Sequence, residues 1–310
     1  MPGRIVIIGA GGQVGRFLAA ELTAQGRDLL ACTSAQWDIT DPAAGTDHVA
    51  PGDTVINCAA LTAVDIAESD EARAYAVNAT GAKNVARACA DNGAQLIHIS
   101  TDYVFSGEFG AQEGGAPRPY EVEDPVGPRS VYGRSKLAGE REVRIVLPEA
   151  TVVRTAWVYT GTGGDFVGTM RRLEAERPTV DVVADQTGSP TYVADLVAAL
   201  VQIADDPFPA PLLHVVNTGP ASRYELARAV FAGIGADPER VLPVTTDRHP
   251  RPAPRPVYSA LSTTRYDAAY QPLRSWQDGL DAALHGGAGD GKTDSLPSSS
   301  VGDELAGRGD

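Results

Sequence analysis

The sequence predicts an α/β protein built on a doubly wound parallel sheet, with a smaller C-terminal lobe. Three observations predict it: short apolar runs rich in β-branched residues, segments of helical period between them, and a glycine-rich turn after the first run. Strands that alternate with helices pair in parallel through right-handed crossovers, which leaves helices on both faces of the sheet. The chain has 310 residues, 43% of them hydrophobic, so it is long enough to bury a sizeable core.

The predicted elements follow one another along most of the chain. The strands are expected at residues 4–9, 28–32, 54–58, 95–99, 151–153 and 180–183. The helices are expected at about residues 13–25, 70–91, 130–146, 164–176, 190–205 and 223–233. From residue 286 the composition turns to Gly, Ser, Asp and Lys, so we expect residues 286–310 to be a disordered tail.

Composition excludes several classes of function. The formal net charge of −14 argues against a nucleic-acid partner, because binding a phosphate backbone needs a basic surface. No apolar run approaches the roughly 18 residues that a membrane span needs, and the N-terminus enters a strand without the pattern of a signal peptide. We therefore expect a cytoplasmic enzyme with no membrane partner. The cysteines Cys32, Cys58 and Cys89 are widely spaced, which predicts small core residues rather than disulfides or metal ligands.

The turn after the first strand carries glycines at three-residue intervals, at Gly9, Gly12 and Gly15. Glycine permits the tight turn and a close backbone approach to a pyrophosphate, while the following helix offers free N–H groups and a partial positive charge. The pattern predicts a dinucleotide site, with an ordinary glycine-rich turn as the alternative. After the second strand, the stretch 32–34 has neither an acid nor an arginine, so NADH and NADPH both stay open.

Tyr132 and Lys136 are four residues apart in a predicted helix, so they share one face. A cation beside a phenol favours its ionised form and lowers its pKa, which makes the phenol a usable acid or base. The alternative is a solvated helix face. Thr101 and Asp102 follow the buried strand at 95–99, at the strand end where ligands of open α/β sheets bind. There Thr101 can hold a reacting oxygen, although Asp102 could instead cap a turn.

Taken together, these residues resemble the extended short-chain dehydrogenases and, within them, the dTDP-4-dehydrorhamnose reductase family. The likeness covers about residues 4–284 and consists of eight motifs in the same order. They lie at residues 9–15, 57–65 with Glu68, 77–80, 100–105, 131–140, 154–159, 185–191 and 255–261. The resemblance implies a Rossmann fold, NADPH or NADH as the cofactor, and reduction of the C4 ketone of a dTDP-4-keto-6-deoxy sugar.

The resemblance also implies roles for individual residues. Those implied to bind the cofactor are Gly9, Gly12, Gln13, Val14, Gly15, Asp38, Ile39, Ala60, Leu61, Thr62, Tyr132 and Lys136. Of these, Asp38 would reach the adenosine end, or would cap the turn that follows it. Thr101, Tyr132 and Lys136 would be catalytic, and Thr101, Asp102 and Trp157 would contact the substrate. Asn78 resembles the helix asparagine near the family's proton relay, although it could equally bond to local backbone.

Two further expectations concern anions and metals. Six arginines lie between Arg240 and Arg274 against two acids, and Arg255 is our first choice for the nucleotide diphosphate, since a guanidinium pairs well with phosphate. Some family members bind magnesium between subunits through glutamates, one of them in the helix after the glycine turn. Phe17 stands at that position here and cannot hold a hard cation, so we expect no metal and a monomer or weak homodimer.

The predicted domains are a dinucleotide-binding domain at 1–155 and a region at 156–285 that is mainly a substrate lobe, with some elements returning to the first domain.

Other functions stay open. A dehydratase of the superfamily is disfavoured, because Tyr103 stands where such enzymes have a glutamate. An epimerase needs little beyond Tyr132 and Lys136. The regulatory subunit of methionine adenosyltransferase also resembles this family and acts by binding.

Overall fold

The structure of the protein is a computed structural model that describes residues 3–45, 47–108, 117–208 and 211–286. The predicted disordered tail falls outside these residues from residue 287 onward. No helix of the described residues is long and apolar enough to cross a membrane.

The strands and helices have the following bounds. The strands are β1 (Ile5–Ile8), β2 (Leu29–Cys32), β3 (Thr54–Asn57), β4 (Gln95–Thr101), β5 (Thr151–Thr155), β6 (Val158–Tyr159), β7 (Val180–Val183), β8 (Thr187–Gly188), β9 (Thr191–Tyr192), β10 (Leu212–His214), β11 (Ala221–Ser222) and β12 (Val241–Val244). The α-helices are α1 (Gln13–Ala24), α2 (Val64–Ser69), α3 (Glu71–Tyr75), α4 (Ala82–Asn92), α5 (Val131–Val146), α6 (Phe166–Glu176), α7 (Val193–Asp205), α8 (Arg223–Gly233), α9 (Thr264–Asp267) and α10 (Trp276–His285).

Six strands form one sheet in the order β10-β5-β4-β3-β1-β2. Every neighbouring pair in it is parallel, which confirms the predicted fold class. The strand order reverses between β1 and β3, and ligands of such sheets bind in the crevice beyond the strand ends at that point. The fold therefore predicts a site formed by the segments that follow β1, β3, β4 and β5.

Two apolar clusters cover the two faces of this sheet. Successive side chains of a strand point to opposite faces, so Val6 and Val55 pack with α4 and α5 while Ile7 and Ile56 pack with α1 and α7. All four of these strand side chains are fully buried. Burial on both faces explains why the strands read as continuous apolar runs in the sequence.

One predicted strand lies outside the main sheet, and one strand of that sheet was not predicted. The run Val180–Val183 pairs with β12 in a separate two-stranded sheet, because only alternate residues of this strand are buried and it belongs to the lobe. The edge of the main sheet is instead β10, a three-residue strand that the sequence did not reveal. A third apolar cluster, formed by α6, β7, α8, β12 and α10, is the core of the lobe.

The helix predicted at 70–91 is interrupted. It comprises α3, a π-helical stretch at Ala76–Gly81, and α4. A π-helical turn holds an extra residue and is often found at functional sites. Asn78 lies within this turn, where its side chain leaves the helix to bond with other segments.

Candidate active site

A cleft of about 380 Å³ opens beyond the carboxyl ends of the central strands, where the strand order reverses. Ten of the residues that sequence reasoning assigned to the site line it: Gly12, Gln13, Val14, Ala60, Thr62, Thr101, Asp102, Tyr132, Lys136 and Trp157. Cys58, Val64, Ile99, Ser100, Tyr103, Thr155, Ala156, Val158 and Arg223 complete the lining. The tertiary structure thus brings the glycine turn and the proposed catalytic side chains to one cleft.

The glycine turn forms one wall of the cleft. Gly9 has a left-handed φ of 78°, and a side chain at Gly15 would put its Cβ only 2.3 Å from the carbonyl oxygen of Gly9. Both positions therefore require glycine, although neither lines the cleft itself. Gly12 precedes α1 and has no side chain to cap it, so the N–H groups of the first turn are open to an anion. These features fit the pyrophosphate of a dinucleotide.

Tyr132 lies in the first turn of α5, which is held from two sides. Ser130 caps the helix by accepting the Gly133 N–H at 3.0 Å, and Glu68 accepts the Val131 N–H at 2.8 Å. A Cβ at Gly133 would lie 2.2 Å from the Tyr103 carbonyl oxygen, so glycine is needed for α5 to approach the segment after β4 this closely. The Tyr132 and Tyr103 rings are in edge-to-face contact, with 5.5 Å between their centroids.

Lys136 lies one turn further along α5 and is 2% exposed. Its ammonium donates to the carbonyl oxygen of Ile99 at 2.7 Å, which holds it at the end of β4. Burial lowers the pKa of Lys136 to about 8, while the nearby carboxylate of Glu140 acts to raise it. The ammonium of Lys136 therefore begins to lose its proton just above neutral pH.

The pKa of Tyr132 moves opposite to the sequence-based expectation. Burial raises it well above its usual value, and the hydrogen bond with Thr101 lowers it by less. Desolvation is the dominant cause, because burial keeps water away from the phenol. Tyr132 is therefore a neutral phenol at neutral pH, which is the form that can donate a proton.

Thr101 and Asp102 form a hydrogen-bonded pair at the end of β4. The Thr101 hydroxyl donates to Asp102 Oδ1 at 3.0 Å and accepts the Tyr103 N–H at 3.2 Å. Asp102 Oδ2 accepts from the Ser259 hydroxyl at 2.6 Å. Asp102 is 2% exposed, and burial raises its pKa to about 6. Its carboxylate is thus charged at neutral pH at a cost to stability.

Replacing Asp102 with asparagine is expected to stabilise the fold at pH 7.5 by about 1–2 kcal/mol. The raised pKa means that the folded protein binds the proton more tightly than the unfolded chain, so stability is lost as pH rises through 6. A shift of about two units corresponds to about 3 kcal/mol, from which the loss of one hydrogen bond is subtracted. Urea unfolding at pH 7.5 and pH 4 measures this, and a gain that did not shrink at pH 4 would contradict it.

A buried ion pair supports the catalytic helix from behind. Arg154 of β5 donates to Glu140 of α5 through Nε at 2.8 Å and through a terminal nitrogen at 2.7 Å, and both side chains are 4% exposed. The Ser100 hydroxyl donates to the same carboxylate at 2.6 Å. Glu140 therefore joins α5 to β4 and β5, one helical turn beyond Lys136.

Asn78 bonds to the backbone of a distant segment and to the catalytic helix, not to the local backbone that was the alternative weighed from the sequence. Its side chain accepts the Leu61 N–H at 2.8 Å, donates to the Leu61 carbonyl at 3.1 Å, and donates to the Ser135 hydroxyl at 3.0 Å. Leu61 lies outside the lining of the cleft. Asn78 thereby ties the segment after β3, which holds Ala60 and Thr62, to the catalytic helix.

Asp38 and Ile39, the expected adenosine contacts, also lie outside the cleft lining. Asp38 accepts the Thr40 N–H at 2.9 Å and its hydroxyl at 2.7 Å, so it caps the turn, and these bonds lower its pKa. Ile39 is buried against α4, where its side chain would touch a Cβ at Gly81. Their roles at the cofactor stay predictions.

Arg255 is not among the residues that line the cleft. Its guanidinium binds the buried carboxylate of Asp65 through two bonds of 2.8 Å, and Asp65 also accepts the Ala253 N–H at 3.0 Å. This ion pair connects α2 to the loop that contains Arg255. Its role in binding diphosphate stays a prediction.

The arginine-rich segment that follows α8 carries less free charge than its composition suggests. Arg240, Arg265 and Arg274 pair with carboxylates of Glu174, Glu123 and Asp195, respectively. The arginine that lines the cleft is Arg223, at the start of α8, which sequence reasoning missed. No local pattern distinguishes it, because its neighbours in space come from other elements.

The expectation of no metal rests on Phe17, which lies in α1. Within the described ranges, no three His, Cys, Asp or Glu side chains are grouped so that they could hold a metal ion. Phe17 packs against the apolar cluster on the α1 face of the sheet. The three cysteines are unbonded, and burial raises the pKa of Cys58, which lines the cleft, to about 12.

Comparison with known proteins decides the family. Residues 3–287 match the family model described as the RmlD substrate binding domain. The chain is 60% identical over 283 residues to a dTDP-4-dehydrorhamnose reductase of Mycobacterium tuberculosis, covering 91% of this chain and 92% of that protein. This chain belongs to the dTDP-4-dehydrorhamnose reductase family.

Other members of the family extend this result. A dTDP-4-dehydrorhamnose reductase of Mycolicibacterium smegmatis is 56% identical over 302 residues, covering 96% of this chain and 90% of that protein. The solved structure of a dTDP-4-dehydrorhamnose reductase from Bacillus anthracis in complex with NADP is 38% identical, with a TM-score of 0.84, and covers 92% of this chain and 99% of that one. The resemblance stated from the sequence is confirmed.

Proposed function

We propose that this protein reduces the C4 ketone of dTDP-4-dehydrorhamnose to the hydroxyl of dTDP-L-rhamnose, with NADPH or NADH as the hydride donor. The observation that carries the proposal is that Thr101, Tyr132 and Lys136 line the same cleft as Gly12 and Gln13 of the glycine turn. The identity to named reductases and the NADP in the Bacillus anthracis structure support it.

The chain's residues perform separate parts of this reaction. A bound nicotinamide supplies the hydride that adds to C4. Tyr132 donates its phenol proton to the ketone oxygen, which becomes the new hydroxyl. Thr101 positions the oxygen by turning its hydroxyl from Asp102 to the ketone, and the Lys136 ammonium stabilises the phenolate that the transfer leaves behind.

Two further residues of the cleft lining are proposed to contact the substrate. Asp102 and Trp157 lie in its lining, and we propose that they contact the sugar. Trp157 has a left-handed φ of 45°, the one such non-glycine residue among those described, and its indole packs where a Cβ at Gly188 would lie 2.4 Å away. Backbone strain of this kind is concentrated at ligand sites. The indole is therefore held in a fixed orientation at the cleft.

Turnover by the purified full chain tests the proposal. We expect NADPH or NADH to be consumed, as followed by nicotinamide absorbance, when dTDP-4-dehydrorhamnose is added, with dTDP-L-rhamnose as the product. dTDP-glucose has no ketone at C4 and serves as the control that leaves the cofactor unchanged. Failure of both cofactors to reduce the keto sugar would refute the proposal. Oxidised cofactor held tightly by the purified protein would favour an epimerase instead.

A further inference from the structure

Arg223 is a half-buried cation with an unusual environment. It begins α8, and its guanidinium carbon lies 3.6 Å from the centroid of the Trp157 indole and 5.0 Å from that of Phe166. Within the described part of the chain, its guanidinium has no hydrogen bond and no ion pair. At 3.6 Å from the indole centroid the guanidinium lies against the ring through its flat face, which leaves the N–H donors along its edge available.

The charges at the cleft make Arg223 the cation that is open to a ligand. The charged residues in the lining are Lys136, Asp102 and Arg223. The Lys136 ammonium is bound to the Ile99 carbonyl. The Asp102 carboxylate accepts two hydroxyls and attracts Arg223 without forming an ion pair with it. Burial lowers the pKa of Arg223 to about 10, which still leaves it positive at neutral pH. A chain of net charge −14 needs such a local cation to hold an anionic ligand.

The geometry points to Arg223 as the residue that binds the diphosphate of the nucleotide-linked substrate, with Trp157 holding its guanidinium in place. A planar guanidinium pairs with phosphate oxygens through two parallel hydrogen bonds, and a fixed orientation lowers the entropy lost on binding. This inference rests on the proposed function only for the identity of the nucleotide. It assigns to Arg223 the role that sequence reasoning gave to Arg255, which is bound to Asp65.

Calorimetric titration of the purified full chain with dTDP, and separately with thymidine, tests the inference. Arg223→Gln is expected to weaken dTDP binding by about 10–100-fold, the usual effect of losing a hydrogen bond to a charged group. Thymidine affinity should stay unchanged, because it has no phosphate. Arg223→Lys keeps the positive charge and should recover part of the affinity. In turnover, Arg223→Gln should raise KM more than it lowers kcat.

Arg228→Gln is the matched control, since Arg228 lies in the same helix and pairs with Glu239 away from the cleft. It should bind dTDP like the parent, and circular dichroism checks that every variant folds. Unchanged dTDP affinity in Arg223→Gln would overturn the inference. A loss of dTDP affinity in Arg255→Gln alone would also overturn the inference, because it would place the diphosphate at Arg255. The absence of dTDP binding by the parent would overturn it too. A parent that binds dTDP through Arg223 without reducing the keto sugar would instead disprove the proposed function alone.

Discussion

Tyr132→Phe is expected to lower the turnover number by about 10²–10⁴-fold while leaving cofactor binding nearly unchanged. The phenol is the proposed proton donor to the ketone oxygen, and phenylalanine keeps the ring but removes the proton. The ring still packs against Tyr103, so the fold of this segment should survive. Single-turnover kinetics with NADPH and dTDP-4-dehydrorhamnose measure the chemical step, and fluorescence titration measures cofactor affinity.

Tyr159→Phe is the matched control for this prediction. The Tyr159 hydroxyl is buried, and no hydrogen-bond partner for it is found among the described residues, so its loss should leave turnover unchanged and not weaken the fold. If Tyr132→Phe turned over as fast as the parent, Tyr132 would be removed from the mechanism. An equal loss in both variants would indicate a general disturbance of packing.

Glu140→Gln is expected to destabilise the fold by about 3–5 kcal/mol, because it leaves the Arg154 cation buried without a charged partner. Replacing both residues with methionine removes both charges and should recover most of that loss. Denaturant unfolding of the parent, the single variant and the double variant measures the difference. Glu176→Gln breaks the exposed pair with Arg172 and should cost less than about 1 kcal/mol. Equal losses at Glu140 and Glu176 would contradict the prediction.

Glu140→Gln should also change the pH dependence of turnover. Burial lowers the pKa of Lys136 to about 8, so its charge is lost as pH rises through that value. We expect the parent to lose activity over the same pH range. The groups that act on it are the Ile99 carbonyl, Cys58, His98 and Glu140. Without the Glu140 charge, the pKa of Lys136 falls further, and the decline in turnover moves to lower pH. A profile that did not move would show that Glu140 has only a structural role.

The fold, the glycine turn and the face of the catalytic helix could be predicted from local sequence, whereas the cleft residues Ala60, Thr62 and Trp157 came from the family resemblance. A strand buried on both faces must be apolar throughout, and a turn that brings backbone close to a phosphate must have glycine at Gly9 and Gly15. Each of these is a constraint on a few consecutive residues. The predictions that depended on partners distant in sequence fared differently. Arg255, which was expected at the diphosphate, is bound to Asp65, 190 residues away.

The direction of the Tyr132 pKa illustrates the same limit. The four-residue spacing to Lys136 places both side chains on one helix face, and that much follows from helix geometry alone. Whether the ammonium or burial dominates depends on how much water the surrounding strands exclude, and on the Ile99 carbonyl that binds the lysine. Both belong to other elements of the chain.

By itself, the sequence determined the class of the sheet, the place of the glycine turn, and the family, because each is written in consecutive residues with a fixed spacing. The tertiary structure alone decided that Arg223 lines the cleft and lies over Trp157, that Glu140 and Arg154 form a buried pair, and that burial raises the pKa of Tyr132. The physical reason is that burial and charge pairing are set by atoms close in space, whatever their separation along the chain.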